Sequence, residues 1–96
     1  IVNKTPSLSM TPNKSIGDFR VGRRGVLNID TNLRKYASKD AEWLGTHYAG
    51  AQLEILDVDS TGAQTWFKIR ILSYGTSLES GRTGKDTGSE DIGWVN

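Results

Sequence analysis

The feature that most constrains this chain is the alternation in Trp66-Phe67-Lys68-Ile69-Arg70-Ile71-Leu72. Successive side chains of an extended segment point to opposite sides, so Phe67, Ile69 and Ile71 share one face while Trp66, Lys68 and Arg70 share the other. A helix would scatter these six around its circumference. The first set is therefore assigned to a core and the second to an outer surface. Upstream, Gln52 to Val58 alternates around Leu53 and Ile55. The intervening Asp59-Ser60-Thr61-Gly62 has turn-forming side chains, so the two segments form an expected hairpin.

Shorter signals flank the hairpin. Gly25-Val26-Leu27-Asn28-Ile29 is β-prone and is closed by Asp30-Thr31-Asn32,. Gly93-Trp94-Val95 is again strand-like, with Trp94 outward and Val95 inward,. Between these regions Leu33, Tyr36, Ala37, Ala41 and Leu44 recur at helical spacing, with Ser38 or Asp40 as a cap and Gly45 as a stop, so periodicity alone predicts a helix,. From Thr76 to Asp91 the only large apolar residue is Leu78. Ordering costs about 1.5 kcal/mol per residue and burying one leucine returns only about 1.5–3 kcal/mol, so a mobile loop is expected there.

Ninety-six residues suit one domain with one core,. The division expected is a linker or N-terminal extension over 1–19 and a folded domain over 20–96. Pro6 and Pro12, set among Asn, Lys, Ser and Thr, mark the linker, although the alternation in Ser7-Leu8-Ser9-Met10-Thr11 could instead make a short edge strand,. A net charge of +1 gives no field to draw the chain to nucleic acid or an anionic membrane,. Arg20, Arg23 and Arg24 are the only basic cluster, and they are read as solvating the linker. No run of apolar residues is long enough for a membrane helix, so no membrane insertion is expected. Without cysteine there is neither a disulfide framework nor a thiolate metal site,. The chain starts at Ile1, as an excerpt from a longer protein would.

Residues suited to chemistry are sparse. His47 is the sole histidine, and no Gly-x-Ser-x-Gly motif accompanies it, so a surface or turn histidine is expected and no catalytic residue is assigned,. Asp57-Val58-Asp59-Ser60-Thr61-Gly62 imitates the start of a calcium loop, yet Lys68 occupies the twelfth position, where a bidentate glutamate belongs,. A solvated hairpin turn is the simpler reading, and no metal or cofactor is expected. Gly84-Lys85 lacks both the Ser or Thr and the first glycine of a phosphate loop,. Glu79, Glu90 and Asp91 are candidates to pair with Arg82 and Lys85.

The aromatic residues are the remaining candidates, because three Trp, three Tyr and two Phe exceed what a small core holds. A Trp or Tyr offers a rigid apolar face with a polar tip, which suits peptide or sugar recognition. One reading makes the tryptophans a half-buried shell. The other gathers Tyr36, Trp66, Tyr74 and Trp94 into a groove, with Lys68 or Arg70 engaging a carboxylate.

Taken in order, Asn32-Leu33-Arg34, Trp43-Leu44-Gly45, Gly50, Leu53-Glu54-Ile55-Leu56, Trp66-Phe67-Lys68-Ile69 and Gly93-Trp94-Val95 resemble the bacterial Src-homology-3 domain family from Gly25 to Asn96. The resemblance implies an all-β fold, a small Src-homology-3-like barrel of five or six bent antiparallel strands with a long loop before the last strand. It replaces the periodic helix with an extended Asn-Leu-Arg segment leading to a loop, and leaves room for a helical turn between Ser38 and Glu42. It further implies a non-catalytic binding or targeting module of a larger bacterial protein, monomeric as an isolated domain. Its partner would be cell-wall peptide or glycan or a protein segment, in an extracytoplasmic or cell-envelope setting. The alternative is a structural or regulatory domain that packs against its own parent protein. Two departures stand out: Lys35-Tyr36-Ala37 replaces the family's Ser-Gly-Pro turn, and the Thr76–Asp91 insert replaces a short hairpin.

Overall fold

A computed structural model describes residues 8–9 and 20–96, and the remainder of the proposed linker lies outside them. All regular structure among the described residues is β. The strands are β1 (Leu8–Ser9), β2 (Arg24–Leu27), β3 (Thr31–Arg34), β4 (Trp43–His47), β5 (Gln52–Asp59), β6 (Trp66–Ser73) and β7 (Ile92–Val95). They form one antiparallel sheet in the order β1-β2-β5-β6-β7-β3-β4. The segment between β6 and β7 is the long loop expected before the last strand.

The hairpin of β5 and β6 is the spine. Leu53 stands opposite Ile71 and Ile55 opposite Ile69, and all four are buried along with Leu27, Leu33, Ala51, Phe67 and Val95. Alternation thus placed the core face correctly. Leu27 on β2 and Leu33 on β3 belong to the same cluster although four strand spacings separate them in the sheet. In a flat sheet that would be about 19 Å, so the sheet must curl around its inner face. Register shifts between Gln52 and Leu53, between Ile55 and Asp57, and between Leu33 and Arg34 supply local bending,.

Curling does not close the sheet by backbone pairing, because β1 and β4 are its two edges and do not pair with each other. The short strand Leu8–Ser9 aligns with Leu27 and Val26 of β2, the pairing that the edge-strand alternative for this stretch expects. The helix suggested by periodicity over Leu33 to Leu44 is absent. Its apolar residues are divided between strands β3 and β4 and a connecting loop. Strand pairing of Leu33 with Gly45 outweighs the helical spacing, since it buries Leu33 completely in the core,. A single turn persists in the loop, where the Ala41 amide donates to the Ser38 carbonyl (3.1 Å) and the Asp40 amide to Ser38 Oγ (3.1 Å).

Candidate functional site

The segment between β6 and β7 is not the unstructured loop that its apolar content suggests. Thr83 and Asp86 bind reciprocally: the Thr83 amide donates to Asp86 Oδ2 (2.9 Å) and the Asp86 amide to Thr83 Oγ1 (3.2 Å). This is the geometry of a capping box, built here with Asp in place of Glu. One helical turn follows, with the Thr87 amide donating to the Thr83 carbonyl. It ends as a Schellman motif does, Gly88 N–H to Lys85 C=O (3.1 Å) and Ser89 N–H to Gly84 C=O (2.9 Å), with Gly88 at φ 78°,. Upstream, Ser77 Oγ accepts from the amides of Glu79 and Ser80, and an isolated bridge joins Thr76 to Thr83. Polar bonds to the backbone do here what apolar burial does elsewhere in the domain.

This folded insert seals the outer edge of β4. The Glu90 amide donates to the Leu44 carbonyl (3.0 Å). The Ser89 hydroxyl accepts from the Thr46 amide and donates to the Thr46 carbonyl, both at 3.0 Å. Gly45 permits the approach, since a Cβ there would overlap the Ser89 side chain. Beyond Ser89, His47 is wholly buried, not on the surface as expected, and its Nε2 lies 2.7 Å from the Glu90 carbonyl. A carbonyl only accepts, so Nε2 carries a proton and donates it there,. Nδ1 has no hydrogen-bond partner and faces Gly84, where any Cβ would overlap the ring. Tyr74 stacks on the imidazole (centroids 5.8 Å apart, 14° between planes), and its hydroxyl donates to the Asp91 carboxylate. Desolvation first, then Asp91, pushes the Tyr74 phenol above its usual range.

Between β4 and the insert lies a half-open groove of about 310 Å³, lined by Trp43, Gly45, Thr46, Tyr48, Thr87 and Ser89 among others. Trp43 is 58% exposed, and its Nε1 donates to Asn32 Oδ1 (3.3 Å), an oxygen that also accepts the Thr46 hydroxyl (2.7 Å). Asn32 on β3 therefore fixes the indole while leaving its surface free. A held aromatic wall beside Thr and Ser hydroxyls, with no charged residue among the lining groups, suits a ligand that presents a flat apolar face edged with hydroxyls,.

None of the six residues predicted from sequence lines this groove. Lys68 lies opposite Trp94 on β7, and Trp66 follows diagonally on the same outer face; both tryptophans are half-buried. Arg70 shares the face, but its Nη2 donates to Glu54 Oε1 (2.9 Å), so its charge is already engaged. Tyr74 lies eight residues along the chain from Trp66 and is committed to His47 and Asp91. Tyr36 is exposed in the β3–β4 loop beneath the Lys35 ammonium (5.8 Å from the ring centroid). Of the salt links imagined within the insert, Arg82 instead donates to the Asp86 carbonyl (2.8 Å). Asp59 Oδ1 accepts from both the amide and the hydroxyl of Thr61, which holds the hairpin turn and lowers the carboxyl below its usual range.

Sequence reasoning missed Trp43 as the groove wall and the insert as its second side. The pattern Thr83-x-x-Asp86 followed by Gly88 was the available signal for the insert,. Nothing local to Trp43 distinguishes it from the other tryptophans. No protein family, curated protein or solved structure matches the chain, so the site is read from its own geometry.

Proposed function

We propose that this chain is a non-catalytic binding module of the Src-homology-3-like kind, part of a larger bacterial protein, that recognises cell-wall material through the Trp43 groove. The observation that carries the reading is the indole of Trp43, held by Asn32 and left open to solvent beside a hydroxyl-lined cleft. The burial of His47, with Nε2 given to a backbone carbonyl, favours binding over catalysis, because the sole imidazole does not face a ligand. Sedimentation of the domain with purified bacterial cell wall is the test. Trp43→Ala is expected to abolish retention with an unchanged unfolding midpoint, whereas Trp66→Ala, on the half-buried outer face, is expected to retain it. Equal retention of wild type and Trp43→Ala would remove the groove from the reading.

A second reading is favoured by Leu78, which is 99% exposed at the tip of the insert. A leucine so presented fits a domain that packs against its own parent protein. Cell-wall retention that survives Trp43→Ala but is lost with Leu78→Ser in the parent protein would favour it.

A further inference from the structure

We infer that the ligand is a linear acidic polysaccharide with a carboxylate on alternate sugars, running from the Trp43 groove across the outer face of β3, β7 and β6. This rests on the groove reading given above. Register places four side chains in one row on that face: Trp43 opposite Arg34, Arg34 opposite Trp94, and Trp94 opposite Lys68. Directly paired residues of antiparallel strands project to the same side, so the row alternates ring, cation, ring, cation.

The cations in this row differ from Arg70 and Lys35, which carboxylates already engage. Arg70 is held by Glu54 and Lys35 lies 3.9 Å from Glu42. Among the described residues, Arg34 and Lys68 have no carboxylate within ion-pairing distance, although Asp57 aligns with Lys68 in register. Their backbones stand two strand spacings apart, about 9.6 Å, a length comparable with one disaccharide. Rings that stack on sugars, interleaved with cations at that repeat, complement a chain in which only every second sugar is charged.

An extended acidic peptide is the rival occupant, and the edge of β4 argues against it. A peptide that binds by adding as a strand needs backbone bonds to a free edge. Here Ser89 and Glu90 already occupy the outward backbone groups of Leu44 and Thr46. Ring faces and two cations remain, which is recognition by side chains.

Titration calorimetry with a hyaluronan hexasaccharide, whose carboxylates fall on alternate sugars, and a neutral chitin hexasaccharide tests this. The acidic sugar is expected to bind about tenfold more tightly, an advantage that shrinks as salt is raised. Arg34→Gln and Lys68→Gln should each remove most of that advantage while leaving chitin binding unchanged. Equal affinity for the two sugars, with no salt dependence in wild type, would overturn the acidic assignment and leave the groove standing. Failure to bind either sugar would sink both. Tighter binding of single-stranded oligothymidylate than of hyaluronan would mean that a polyanion, not a sugar, is being read, and would also overturn it.

Discussion

Gly84 and His47 show how much of this domain turns on single side chains. The imidazole is enclosed because residue 84 has no Cβ, and any side chain there would drive the insert away from β4. Gly84→Ala is therefore expected to destabilise the domain by about 1–3 kcal/mol, read from the denaturant midpoint, the usual range for overfilling a packed site. Asp86 offers a pH-dependent counterpart. Hydrogen bonds from the backbone and side chain of Thr83, then the charges of Arg82 and Lys85, hold its carboxyl below the ordinary 3.8. A folded value below the unfolded one gives a contribution that is full above 3.8 and lost as pH falls through the folded value,. Exchange of the Thr83 amide should accelerate across that acidic window in wild type, and Asp86→Asn should flatten the profile.

At the scale of elements, the insert is the instructive case. Counting apolar residues made it too costly to order, but its backbone is bound by Ser77, Thr83 and Asp86 side chains, and Ser89 and Glu90 tie it to the backbone of the edge strand β4. Amides of Thr87, Gly88, Ser89 and Glu90 are expected to exchange more slowly than those of 61–64, which no strand supports. Ser89→Ala removes both bonds to Thr46 and should accelerate exchange at Thr46 and Glu90 together, while leaving Ile69 protected. Equal exchange of the insert and the 61–64 turn would restore the mobile-loop expectation. The periodic helix failed for a related reason: spacing along Leu33 to Leu44 is a local signal, and pairing of β3 with β4 and β7 is worth more once Leu33 is buried.

At the scale of the whole molecule, one core cluster drawn from β2, β3, β5, β6 and β7 holds the sheet in its curl. Ile69 lies at its centre with no exposure, so Ile69→Ala is expected to cost about 2–5 kcal/mol in chemical unfolding, a large share of the stability of a domain this small,. The sequence alone determined the strands of the hairpin, the inward set Leu53, Ile55, Phe67, Ile69, Ile71 and Val95, and the outward set Trp66, Lys68, Arg70 and Trp94. Those follow from the two-residue period of extended backbone, which a local window over each of these strands displays,. Only the tertiary structure decided that Trp43 walls a groove, that Ser89 seals β4, and that His47 is enclosed. Both the Ser89–Thr46 and the His47–Glu90 contacts join residues 43 positions apart, and no local pattern encodes a meeting of that separation.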